Sequence, residues 1–227
     1  LRKPLSIDPA RSALLCVDLQ EEHRKDGRYL VDGFDRVLDN VQRLQGTARA
    51  HGVGVYHSAY VVDVRAGTHR PFHPLMEDGR SVFSDVSDPH SAICPEVGPA
   101  GDELMLVKTD ASSLAQGDVP LLLRAHGIEW LIVAGVWTEA CIAATVKDAV
   151  ENGFRVLVVK DACSSGSRAM HETGILNIAN RLYGGGVTDT VSVCRLMAGE
   201  TVDVWQVQGS VPLRFGYEDA TELYASL

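Results

Sequence analysis

The sequence has no apolar run long enough to cross a membrane, and its N-terminus lacks a basic-then-apolar signal pattern. Those absences lead us to expect a cytoplasmic protein with no membrane partner. It has no CxxC pair, and its five cysteines (Cys16, Cys94, Cys141, Cys163 and Cys194) are odd in number and widely spaced. That argues against a disulfide framework and against a structural zinc site. Positive charge is scarce: 21 lysines and arginines stand against 30 aspartates and glutamates, a formal net charge of -9. An acidic surface disfavours nucleic acid as a partner. No internal repeat or low-complexity tract is visible.

What is present suits one sizeable core: 227 residues, 45% of them apolar, read as a single domain over 1–227. SALLCVD (12–18) reads as a buried parallel strand ending at an aspartate. Residues 35–51 place Val37, Leu38, Val41, Leu44 and Ala48 at helical spacing, and GVGVYHSAY follows as the second strand. ELMLVK (103–108), EWLIVAG (129–135), FRVLVVKDA (154–162) and VTDTVSV (187–193) read as strands three to six. Helices are expected at 119–127, around Cys141, and at 168–182. This alternation predicts an α/β fold, a three-layer α/β/α sandwich around a six-stranded, mostly parallel sheet. Residues 62–102 read as one long loop region of the kind that covers active sites. The tail, 198–227, reads as an irregular C-terminal extension in which VDVWQV could add an edge strand.

Ligands of open parallel sheets bind beyond the carboxyl ends of the strands, where strand order reverses. Three reactive residues stand at such ends: Asp18, Lys108 and, one tight turn after strand four, Cys141. Cys141 falls in the first turn of a helix, where the positive end of the dipole favours thiolate. Asp18 is the natural base for the thiol proton, and Lys108 would hold Asp18 anionic. Backbone N–H groups at the start of the helix could form an oxyanion hole. Thr138 could cap that helix through the Cys141 N–H or orient a substrate. Taken singly, each of the three has a plain alternative: a helix-capping aspartate, a surface lysine, an inert cysteine. Cys16, Cys163 and Cys194, in or beside apolar runs, read as buried small hydrophobes.

The segments LLCVDLQ, VKTDASS and AGVWTEACIAATVKDAVENGFRVLVVKDAC, in that order and spacing, resemble the isochorismatase-like cysteine hydrolase superfamily. The resemblance runs from about residue 11 to residue 195. It implies Asp18 as catalytic aspartate, Lys108 as catalytic lysine and Cys141 as nucleophile. It also implies a cis Val136–Trp137 bond, with the N–H groups of Trp137 and Cys141 as the oxyanion hole. His171 would have a structural or interface role. The implied activity is hydrolysis of a non-peptide C–N bond in a small amide or ureide. The reaction would run through a thioester or thiocarbamate and release ammonia, with no cofactor, in a homodimer or homotetramer. The N-carbamoylsarcosine, biuret, ureidoacrylate and maleamate branches are all compatible. The ether cleavage of isochorismatases does not need the cysteine, so Cys141 argues against it. Ether hydrolysis and a catalytically silent scaffold stay as the alternatives. His57, Asp63, His69 and His73 follow or end strand two without the spacing of the nicotinamidase metal site, so no metal is expected. Arg65, Arg70 and Arg80 are candidates to bind a substrate carboxylate. Trp137 and Tyr60 are candidate pocket walls. His23 stands near the position where many relatives carry a pocket phenylalanine, which implies a more polar pocket.

Overall fold

The computed structural model describes residues 1–27 and 29–227. Strands form at Arg2–Leu5 (β1), Ser12–Val17 (β2), Gly54–Tyr60 (β3), Leu104–Lys108 (β4), Trp130–Val136 (β5), Arg155–Ser164 (β6), Gly186–Thr188 (β7) and Val202–Gln206 (β8). They pair into one sheet in the order β1-β8-β7-β6-β5-β2-β3-β4. The pairs from β7 across to β4 are parallel, and β8 runs antiparallel to both β7 and β1.

Helices form at Glu22–Lys25 (α1), Phe34–Ala50 (α2), Asp118–Ala125 (α3), Ala143–Glu151 (α4), Arg168–Ala179 (α5), Thr190–Met197 (α6) and Ala220–Ser226 (α7). Strand side chains alternate between two cores, as a period of two requires. From β2, Leu14 and Cys16 pack with Val37, Val41 and Leu44 of α2 and Val193 and Leu196 of α6. Ala13, Leu15 and Val17 point the other way, onto Leu123 of α3, Val146 of α4 and Ile175 of α5. The result is the expected three-layer α/β/α sandwich. No helix among the described residues is long and apolar enough to cross a membrane.

The sheet has eight strands where the sequence predicts six. The first addition, β1, is polar and exposed, so it carries no burial pattern to read. The second, β8, is the VDVWQV segment, but it is interior rather than an edge: β1 covers it. The expected sixth strand, 187–193, ends at Thr188. The Asp189 side chain accepts a hydrogen bond from the Ser192 N–H at 2.7 Å and starts α6. Buried Val193, Leu196 and Met197 then follow at helical spacing. The tail holds β8 and α7, with irregular chain between them.

Chain order proceeds from β2 outward through β3 and β4, then returns to the other side of β2 with β5. The reversal therefore lies between β2 and β5. At that seam Gly135 (φ +129) lies so close to β2 that an added Cβ would sit 2.1 Å from the Val17 carbonyl oxygen. Only glycine lets the two strand ends converge there.

Candidate active site

Asp18 follows β2 in a left-handed conformation (φ 53), and its N–H donates to the Ser58 carbonyl at 2.9 Å. Ser58 Oγ donates to Oδ1 at 3.2 Å, and Lys108 Nζ donates to Oδ2 at 2.7 Å. Lys108 reaches Asp18 from the end of β4, across the intervening β3. Its ammonium also donates to the carbonyls of Asp110 (3.1 Å) and Ala111 (3.2 Å), and it lies 3.4 Å from Cys141 Sγ. Both members of the ion pair are buried, with 3% of each residue exposed. A buried pair of this kind persists only with such added hydrogen bonds.

Cys141 arrives from β5. The Val136–Trp137 peptide is cis, and a π-type turn over Thr138–Ile142 leads into α4. The turn sets the thiol against Asp18 and Lys108. Burial and the neighbouring Asp18 carboxylate push the thiol up to about 12, outweighing the opposite pull of Lys108. Burial therefore works against the helix-favoured thiolate that the sequence leads one to expect. The thiol faces the Asp18 carboxylate and the Lys108 ammonium, and burial favours its protonated form.

Asp18 and Cys141 open on a cavity of about 310 Å³. Its aromatic walls are Tyr29, Tyr60, Phe83 and Trp137; Gln20, Glu22, His23 and Ser84 supply most of its remaining polar lining. Lys108 Nζ sits 5.0 Å from the Tyr60 ring centroid. The Trp137 indole N–H donates to His23 Nδ1 at 3.3 Å. Burial holds His23 below the usual imidazole range, and the same nitrogen lies 3.4 Å from the Tyr29 carbonyl. Gln20 clamps the end of β3, accepting from Tyr60 N–H and donating to Tyr60 and Ser91 carbonyls at 2.8–2.9 Å.

The structure therefore brings Asp18, Lys108, Cys141, Trp137, Tyr60 and His23 to one place, and leaves the other candidates apart. Thr138 is fully buried and turned inward: its hydroxyl donates to the Ser164 carbonyl at 2.9 Å and lies 2.8 Å from His171 Nδ1. It neither caps the turn nor lines the cavity. Arg65 is exposed on a separate surface recess beside Asp63 and Arg80. Arg70 is exposed and paired with Asp110, and Arg80 pairs with Asp78. None of the three arginines lines the cavity. His57 is bound to Glu103 at 2.9 Å, and His73 to Ser81 at 2.6 Å. Among the described residues, one group has metal-ligand geometry: Glu21, Cys94 and Glu96. The Arg24 guanidinium already bridges its two carboxylates, at 2.6 and 2.8 Å.

Sequence reasoning passed over Gln20, Glu22, Tyr29, Phe83 and Ser84. Gln20 and Glu22 had a signal in their closeness to Asp18. Phe83 and Ser84 had none, because an aperiodic loop gives no hint of which residues turn inward.

Comparison with known proteins adds the following. The Isochorismatase domain family matches residues 12–192. The N-carbamoylsarcosine amidase of an Arthrobacter species is 27% identical over 199 residues, covering 82% of this chain and 71% of that protein. The maleamate amidohydrolase of Pseudomonas putida is 29% identical over 200 residues, covering 83% and 89%. A crystal structure of a cysteine hydrolase from Pseudomonas syringae pv. phaseolicola superposes with a TM-score of 0.76 at 22% identity, covering 86% of this chain and 95% of that one.

Proposed function

The chain belongs to the Isochorismatase domain family, within the isochorismatase-like cysteine hydrolases, and from that premise we propose that it hydrolyses a small amide or ureide at a C–N bond. The observation that carries the proposal is the contact of Asp18, Lys108 and Cys141 at the wall of an aromatic-lined cavity. The protonated thiol is a poor nucleophile until its proton moves to Asp18, the carboxylate that Lys108 holds beside it. Lys108 offsets the negative charge that this transfer leaves on sulfur. Sγ then attacks the carbonyl carbon, and the oxyanion takes hydrogen bonds from the N–H groups of Trp137 and Cys141. Asp18 returns the proton to the leaving nitrogen, the C–N bond of the tetrahedral adduct breaks, and ammonia departs to leave a thioester or thiocarbamate on Cys141. Water gives a proton to Asp18 and adds to the carbonyl carbon, the C–S bond breaks to release the acid or carbamate, and the proton on Asp18 returns to sulfur. A cavity of about 310 Å³ with four aromatic walls suits a small, flat substrate.

The test is ammonia release from a panel of small amides and ureides by the native protein, Cys141→Ala and Asp18→Asn. We expect both variants to fall at least about 10³-fold, because a nucleophile and its base act as one unit. Hydrolysis that survives Cys141→Ala undiminished would rule the thiol mechanism out and leave a path without a covalent intermediate.

A further inference from the structure

The curated relatives described above are named for N-carbamoylsarcosine and maleamate, both of which carry a carboxylate remote from the scissile bond. Among the described residues, the cavity of this chain is poorly built to receive one. Among the described residues, no arginine or lysine lines it; Lys108 is already bound to Asp18 and two carbonyls, and Arg70, whose charge reaches Tyr60, is paired with Asp110. Two carboxylates line it instead, Asp18 and Glu22. Glu22 is buried, with 5% of its surface exposed.

Several wall donors are also spent. The Ser84 N–H and hydroxyl both donate to Glu22, at 2.9 and 2.5 Å. The Trp137 indole donates to His23, and the Gln20 amide to two carbonyls. What Glu22 still offers is acceptor capacity. A carboxylate has about four lone-pair sites, and Ser84 occupies two of them. Ser84 itself stands at φ 52, a left-handed conformation uncommon outside glycine, so Glu22 also holds the loop that closes over the cavity wall. With Asp18 already balanced by Lys108, a substrate carboxylate placed here would meet a like charge at Glu22 in a partly dehydrated space, whereas an N–H group would meet an unspent acceptor.

We infer that Glu22 is a specificity residue and that the cavity selects flat amides or ureides free of carboxylate, whose far end presents N–H donors to it. The inference rests on the amidohydrolase reading for the scissile bond, but the preference itself is a property of the cavity. Matched pairs test it: maleamide against maleamate, and the primary amide of N-carbamoylsarcosine against the free acid. The paired molecules differ at one end only. In the native protein, kcat/KM should favour the amide at least about tenfold in each pair, and Glu22→Gln should shrink that ratio at least about tenfold, because the glutamine oxygen can still accept from the Ser84 N–H and its amide N–H can donate to the Ser84 hydroxyl, while the charge is lost. Binding of the same pairs to Cys141→Ala by calorimetry reads the preference without turnover. Acids bound or cleaved as well as the amides would overturn the inference while leaving Cys141-dependent hydrolysis standing. Amides preferred in binding, with no ammonia from any member, would sink the hydrolase reading and keep the cavity preference.

Discussion

At the scale of single residues, Asp18 and Lys108 form the pivot of the site. Their contact at 2.7 Å lies almost wholly out of water, so the two charges depend on each other more than a surface pair would. Lys108→Met should therefore do two things at once. It should cost about 3–5 kcal/mol of stability by leaving a buried carboxylate without its partner. It should also abolish ammonia release, since the same ammonium faces Cys141 Sγ. Urea unfolding beside a single-turnover assay separates the effects: a variant as stable as the native protein would show that the pair is not the anchor its burial suggests. The sequence made these residues legible because each stands at the end of an apolar strand run or just beyond it, where side chains leave the core and meet solvent or substrate. Glu22 was not legible in the same way. Its role depends on Ser84, 62 residues away in a loop without periodicity. The thiol shows a third kind of failure: its position was readable, but its dehydration was not, and dehydration decided its protonation.

At the scale of elements, the long apolar strands were read within a residue or two, because burial on both faces makes a continuous apolar run. The short elements were not. In residues 187–193 the β-branched residues suggest a strand, yet Asp189 followed by Val193, Leu196 and Met197 is a helix start with a helical burial pattern. Capping competed with β-propensity and prevailed, because the helix that follows buries an apolar face against α2. Asp189→Ala should remove that cap and cost about 1 kcal/mol, read as a shift in the urea midpoint with an unchanged slope. No measurable shift would mean that packing alone fixes the start of α6. The same logic explains α7, which periodicity did not announce. It is tied down by contacts between distant segments: Thr221 to Glu172 at 2.7 Å, Tyr224 to His171 at 3.1 Å, and Lys160 to the Tyr224 carbonyl at 3.0 Å.

At the scale of the whole molecule, protonation ties both cores and the site to one pH window. Cys16, Cys94, Cys141 and Cys163 are all pushed up from 9.0 to about 12, burial being the foremost cause in each. Cys16 belongs to the core under α2 and Cys163 to the core under α4 and α5, so neither layer is spared. The unfolded chain releases these protons near pH 9, while the folded chain keeps them to about 12. Above pH 9 the unfolded state therefore binds fewer protons, and stability falls with rising pH, by up to about 1.4 kcal/mol per pH unit for each thiol. On the acid side, His171 is pushed from 6.5 down to about 4 by burial. Its contribution is whole above pH 6.5 and is lost as pH falls towards 4. Urea unfolding from pH 5 to pH 10.5 should trace a plateau between these flanks. The double variant Cys16→Ala, Cys163→Ala should flatten the alkaline flank specifically, because it removes two of the four protons at issue and leaves the acid flank and the Asp18–Lys108 pair intact. An alkaline slope unchanged in that variant would mean that the buried thiols are not what the fold defends against base, and would move the cause to Tyr224, whose hydroxyl burial also raises to about 12.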